Sequence, residues 1–221
     1  MKEKRAVCLI SGGIDSFVSA AIAKKSGYKI FCLTVNYNQK AKKEIEASKK
    51  VAKFLKCEKH LILNFDFSWV KSALTKRKIK IPEKTEKGIP PTYVPARNTI
   101  FLSIALAYAE TIDAEAIFIG VNSIDYSGYP DCRPIFIKKF QKLVDVATKK
   151  TAEGGKIKIE SPLLNLSKGE IVKKGIELGL DFSITWSCYR NTKKPCGKCD
   201  SCRLRKIAFQ QAGIPDPLLQ H

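Results

Sequence analysis

Two places in this chain combine residue types and spacings that could do chemistry: SGGIDS at residues 11–16, and four cysteines at 188, 196, 199 and 202. At the first, an apolar run ending at Ile10 gives way to Ser11, Gly12 and Gly13, then to a helical pattern starting near Asp15. Such a corner gathers backbone N–H groups and the positive end of a helix around one point, which suits an anion. The glycines permit close approach of the chain to oxygen atoms, and the hydroxyls of Ser11 and Ser16 add donors. An ordinary turn with Asp15 as the helix N-cap fits the same residues, so both readings stand here. Neither a G-x-x-x-x-G-K-[ST] loop nor a G-x-G-x-x-G after a strand occurs.

The cysteines are spaced C-x7-C-x2-C-x2-C. Two-residue gaps let neighbouring thiolates turn onto one ion, and four complete a closed tetrahedral site of the structural kind. Zinc suits it best, although spacing alone leaves an iron–sulfur cluster open. Lys193, Lys194, Lys198, Arg203 and Arg205 are expected to offset the residual negative charge. Cys8, Cys32, Cys57 and Cys132 are scattered like small hydrophobes, which argues for a reducing compartment.

The elements that must hold these groups show as an alternation. Runs rich in β-branched residues at 6–10, 29–37, 60–65, 116–121 and 157–160 alternate with helical patterns at 17–26, 41–56, 99–111, 134–150 and 168–179. That is the signature of βαβ units, here an α/β fold with a parallel five-stranded sheet flanked by helices. Gly27 reads as a left-handed helix stop, and Ser167 with Glu170 as a capping box. Residues 77–98 carry four prolines and little periodicity, a long loop of functional character. Beyond Asp181 come the cysteine knuckle and a closing helix, RLRKIAFQQAG, stopped by Gly213 and Pro215. The expected division is therefore 1–181 for the α/β domain and 182–221 for a zinc-binding segment.

With 40 Lys and Arg against 21 Asp and Glu, the net charge is +19, which suits nucleotides or tRNA. Most of the excess is lysine on runs such as KKEIEASKKVAKFLK, which read as solvated helix faces. No run of eighteen apolar residues and no signal-peptide pattern occurs, so a soluble cytoplasmic protein is expected.

SGGIDS resembles the S-G-G-x-D-S signature of the PP-loop ATP pyrophosphatases, which cleave ATP between the α and β phosphates. The resemblance implies an adenine-nucleotide α-hydrolase-like, Rossmann-like fold. It also implies nucleotide contacts from Ile10, Ser11, Gly12, Gly13, Ile14, Asp15, Ser16 and Gly120, catalysis by Ser11, Asp15 and Ser16, and Mg²⁺ at Asp15. Lys168 in LSKGEI stands where the superfamily carries a lysine, placed to neutralise charge at the α-phosphate. A plain capped helix start explains Ser167 and Glu170 as well.

YVPARN, IGVNSIDYSGYPDCRPIFIKKF and the knuckle SCY…CGKCDSC, in that order, resemble the 7-cyano-7-deazaguanine synthase family along nearly the whole chain. The resemblance implies an ATP-dependent ligase that joins ammonia to 7-carboxy-7-deazaguanine through two adenylations, in queuosine or archaeosine biosynthesis. It further implies ATP, Mg²⁺ and one structural Zn²⁺ at Cys188, Cys196, Cys199 and Cys202, a homodimer, no membrane and no direct tRNA binding. Tyr93, Arg97, Asn98, Asp125, Tyr126, Tyr129 and Asp131 are its substrate residues. Arg97, counted also as catalytic, and Asn98 would clamp a carboxylate or the α-phosphate. Asp131 would accept from the guanine-like face, and Tyr126 and Tyr129 would stack on it. Arg97 as a helix cap, Tyr129 as core and Asp131 as a partner of Arg133 are the structural alternatives.

Two departures stand out. The family's V-P-G-R-N reads VPARN here, so Ala96 is expected to hold an ordinary φ. Where the family has Arg-His after the glutamine, this chain has Lys40 and Ala41, and His60, in a strand, and His221, at the end, are poor replacements. A PP-loop enzyme acting on tRNA directly, of thiolase or lysidine type, and a non-catalytic zinc-knuckle nucleic-acid binder remain as rivals. The second has only Trp186 and Tyr189 as stacking surfaces.

Overall fold

The computed structural model describes residues 3–83, 88–122 and 128–219 of the 221. Five strands, β1 (Arg5–Leu9), β2 (Lys29–Asn36), β3 (Lys59–Asn64), β4 (Ala116–Phe118) and β5 (Lys158–Glu160), form one sheet in the order β3-β2-β1-β4-β5. Every pairing is parallel. The order reverses direction beside β1, so the carboxyl end of β1 opens onto a topological switch point, where open α/β sheets bind ligands.

Both faces of the sheet are covered, and β1 shows the alternation that follows. Ala6, Cys8 and Ile10 point into a core built with α1 (Ile14–Lys25), α2 (Lys43–Phe54), α6 (Lys168–Glu177) and α7 (Asp200–Ala212). Val7 and Leu9 point the other way, toward α3 (Arg97–Thr111) and α4 (Pro134–Ala147). Helix α1 is buried on most sides, with Phe17, Val18 and Ala23 fully enclosed, which explains its run of small and apolar residues without an obvious stripe. The Gly27 stop and the Ser167–Glu170 capping box are both present.

Three expected elements end differently. The single helix expected over 134–150 stops at Ala147, because Thr148 is extended and caps a separate four-residue helix, α5 (Lys149–Ala152), through Thr151. The strand expected to reach residue 121 ends at Phe118; beyond it Gly120 lies so close to α1 that a Cβ there would sit 2.7 Å from the Asp15 carbonyl carbon. Helix α7 begins at Asp200, immediately after Cys199, so the last cysteine lies within it. Among the described residues, no helix is long and apolar enough to cross a membrane.

His60 is a strut of the sheet. Its Nε2 meets Thr34 Oγ1 at 2.8 Å, and that hydroxyl donates to the Ile10 carbonyl at 2.8 Å, so the ring donates from Nε2. Burial, with Lys49 nearby, holds its pKa below the ordinary value. The neutral ring is therefore favoured in the fold. Its contribution is complete above the unfolded value of about 6.5 and is lost as pH falls through the lower folded value. We expect His60→Gln to flatten the stability loss between neutral and mildly acid pH, measured by denaturant titration at several pH values.

Gly12 carries a second constraint. It has φ +83°, and a Cβ there would lie 2.5 Å from the Glu44 carbonyl oxygen and 2.7 Å from the Ser48 nitrogen, both on α2. Gly12→Ala combines a left-handed alanine with a clash against helix backbone. A loss of about 3 kcal/mol or more in unfolding free energy is expected, read from chemical denaturation.

Candidate active site

The corner after β1 is held by its own hydroxyls. Ser16 Oγ accepts from the Ser11 N–H at 3.1 Å and donates to the Gly13 carbonyl at 3.0 Å, while Ser11 Oγ lies 3.2 Å from it. Helix α1 starts from Gly13 with no side-chain cap, which leaves the amides of its first turn open. Asp15 is thus not the N-cap. Its carboxylate instead accepts from Lys168 Nζ at 2.7 Å, across 153 residues of sequence. This pairing brings the α1 and α6 starts together, and each partner keeps the other's charge compensated within a partly buried site.

The corner is one wall of a cavity of about 530 Å³. Ile10, Ser11, Gly13, Ile14, Asp15, Ser16, Gly120 and Lys168 all line it. Gly12 faces away and supports α2. Thr34, Val35 and Tyr37 from the end of β2 extend the wall, and Arg97, Asn98 and Tyr129 stand across from it. Asp125 and Tyr126 lie outside the described residues.

The proposed substrate residues divide. Arg97 opens α3, half-buried, and lines the same cavity as Tyr37. Tyr129 bonds Thr92 Oγ1 at 2.8 Å and stacks on Tyr93 at 6.1 Å. Tyr93 itself is behind the wall, its hydroxyl accepting from the Ala96 N–H at 3.2 Å. Asp131 does not face the cavity. Its Oδ2 accepts from the Asn98 N–H at 2.9 Å and its backbone carbonyl from the Asn98 side chain at 3.0 Å, so it satisfies the open start of α3 and positions Asn98; it does not hold Arg133, which bonds the Pro130 carbonyl. Ala96 departs from expectation as well, with φ +53° and ψ +23° in the left-handed region. An alanine tolerates this at a cost of about 1–2 kcal/mol because Tyr93 and the Asn98–Asp131 pair fix the turn on both sides.

The knuckle builds another wall. Trp186, Ser187 and Tyr189, flanking Cys188, line the cavity, and Trp186 is only 7% exposed. The two aromatics that would make a base-stacking platform are therefore turned inward. The backbone N–H of Trp186 donates to the Gly12 carbonyl at 2.9 Å, tying knuckle to corner. Glu83 of the long loop is held by Arg190 at 2.8 Å and its carbonyl by Arg203. Arg205 is not available to offset thiolate charge: it is 5% exposed and pairs with Asp216 through two bonds of 2.7 and 2.8 Å.

The four cysteine sulfurs lie within 4.8 Å of one another. Thiolates bound at about 2.3 Å to one tetrahedral ion stand about 3.8 Å apart, close to the 3.9 Å between Cys196 and Cys202. Backbone N–H groups of Arg190 and Cys196 point at Cys188 Sγ, and that of Cys199 at Cys196 Sγ, each at 3.4 Å. Bonds from Cys199, Cys202 and these amides pull the Cys188 thiol below its ordinary value. The donor set fits a zinc ion.

Sequence reasoning missed Glu44. It lies in the charged run read as a solvated face, but Gly12 draws α2 so close that Glu44 lines the cavity. Burial pushes its carboxyl up to about 7 against the opposing pull of the Arg97 guanidinium and the Gln39 amide. Lys40 and Ala41 supply no substitute. Lys40 donates to the Ile79 carbonyl at 2.6 Å, and Ala41 is buried in the apolar cluster around Trp186.

One cavity thus joins an anion corner, a lysine paired with an aspartate and a wall made by the four-cysteine knuckle. The family model for queuosine biosynthesis protein QueC matches residues 5–213. The chain belongs to the QueC family. It is 48% identical over 220 residues to the 7-cyano-7-deazaguanine synthase of Stutzerimonas stutzeri, with 98% of each chain covered. The synthases of Pseudomonas fluorescens and Saccharophagus degradans are each 49% identical over the same span. Among solved structures, a 4-thiouridine synthetase in complex with RNA and bound ATP superposes with a TM-score of 0.55 at 21% identity. It covers 95% of this chain and 50% of that one, so the likeness is one of fold.

Because Trp186 and Tyr189 share walls with Cys188, metal removal should reach the cavity. We expect one zinc per chain by elemental analysis, and chelation under denaturant-free conditions to quench or shift tryptophan fluorescence and lower Tm together. An unchanged spectrum after complete zinc loss would separate the knuckle from the cavity.

Proposed function

We propose that this QueC family member is a 7-cyano-7-deazaguanine synthase, converting 7-carboxy-7-deazaguanine and ammonia to the nitrile with cleavage of two ATP to AMP and pyrophosphate. The observation that carries the reading is the Asp15–Lys168 pair set against the uncapped start of α1 inside one cavity with Arg97. Open amides and the helix dipole there suit the β and γ phosphates, while Lys168 suits charge building at the α-phosphorus.

The chemistry follows from leaving groups. A carboxylate oxygen attacks the α-phosphorus, pyrophosphate departs, and the carbon then carries AMP as a leaving group. Ammonia forms the C–N bond, the C–O bond to AMP breaks, and a proton is lost, giving the amide. The amide oxygen attacks a second ATP; loss of the remaining N–H protons and of AMP leaves the nitrile. Arg97 orients the carboxylate and Tyr129 offers a stacking face. Mg²⁺, held at Asp15, would neutralise the departing pyrophosphate, and Lys168 would then turn to the α-phosphate. Zn²⁺ at the four cysteines would be structural. The enzyme acts on the free base in the cytoplasm, as a homodimer for which the exposed Ile135, Leu143 and Val146 of α4 offer apolar surface.

The test is mass spectrometry of nucleotide and deazapurine together after incubation with ATP, Mg²⁺, ammonium and 7-carboxy-7-deazaguanine. Nitrile with AMP is expected, and Asp15→Ala and Lys168→Ala should each lower its rate by about 10²-fold or more. AMP formation with an unchanged deazapurine would move the substrate elsewhere, with tRNA next.

A further inference from the structure

The cavity is built for anions, yet one co-substrate of the proposed reaction is ammonia, which at neutral pH is mostly the ammonium cation. Arg97 and the α1 dipole repel it, and the Lys168 charge is already answered by Asp15. An ammonium ion also has no lone pair to attack with, so a site must both attract the cation and take its proton.

Among the described residues, three carboxylates line the cavity: Asp15, Glu44 and Asp200. Asp15 is engaged by Lys168 and Asp200 by Arg203. Glu44 has no ion pair within 4.0 Å among the described residues; the Arg97 guanidinium and the Gln39 amide act on it from across the cavity without pairing with it. Its neighbour Lys43 is directed elsewhere, over the Trp186 ring at 4.6 Å and onto the Lys193 carbonyl. Tyr37 and Tyr189 line the same cavity as Glu44, and an aromatic phenol suits a small cation. Position is fixed from behind, since the Glu44 backbone rests on Gly12 of the corner.

We infer that Glu44, with Tyr37 and Tyr189, forms the ammonium site and that its carboxylate takes the proton that frees ammonia for attack. The inference rests on the proposed function and specifies its nitrogen donor. In the step, the N–H electron pair stays on nitrogen, the proton moves to the Glu44 carboxylate, nitrogen bonds the activated carbon, and AMP leaves with the C–O electron pair. The cavity opening lets the carboxyl return its proton to water.

The experiment separates adenylation from amination. Pyrophosphate exchange into ATP, dependent on 7-carboxy-7-deazaguanine and run without ammonium, reports the first. Product formation against ammonium concentration reports the second. Glu44→Gln should leave exchange within about twofold of wild type yet lower kcat/KM for ammonium by about 10²-fold, with partial recovery in Glu44→Asp. Hydroxylamine, uncharged at neutral pH, should narrow the gap between Glu44→Gln and wild type. An unchanged ammonium dependence, an equal deficit with hydroxylamine, or loss of exchange in Glu44→Gln would each overturn the inference. Wild-type enzyme that shows no exchange with this carboxylate would overturn the proposed function, and the ammonium site with it.

Discussion

The molecule depends on backbone meeting backbone where two side chains are missing. At Gly12 the corner touches the first turn of α2, and at Gly120 the end of β4 touches the first turn of α1. These contacts set the uncapped start of α1 at the carboxyl edge of the sheet, beside the reversal of strand order. Oriented amides at such a helix start suit an anion without the help of a charged side chain. Lys168 and Asp15 can then be devoted to each other, and to the charge changes of a reaction.

The second constraint is the separation of charge. Arg97 and Lys168 face one cavity with a single carboxylate that has no ion pair among the described residues. Around them the knuckle does more than close the end of the chain. Its Trp186 binds Gly12 and its Arg190 holds Glu83, so one metal-sized cluster of thiols ties the corner, the long loop and α7 into one wall. The buried Arg205–Asp216 pair fastens that wall from the far side.

Much of this was legible in one dimension because it is local. The strand–corner–helix order, the capping box at Ser167 and the two-residue cysteine gaps are short-range patterns with direct physical causes. What stayed hidden depends on contacts distant in sequence. Asp131 looked free to read a base, and only the fold shows the open start of α3 claiming it. Glu44 sits in a lysine-rich run that reads as solvent-facing, and its burial comes from a glycine 32 positions earlier. Ala96 breaks a local rule, its left-handed turn being held by Tyr93 and Asp131, which no propensity scale includes. The helix expected over 134–150 breaks at Thr148, whose hydroxyl competes for the backbone better than the periodicity suggested.

The most direct test of the central claim, that the corner releases pyrophosphate while the cavity moves carboxylate oxygen onto phosphorus, is oxygen tracing. With both carboxylate oxygens of 7-carboxy-7-deazaguanine labelled with ¹⁸O, complete turnover should place the label in AMP, one atom in each AMP formed, and leave none in pyrophosphate. Label in inorganic phosphate alongside ADP, or label lost to water with unlabelled AMP, would contradict the account.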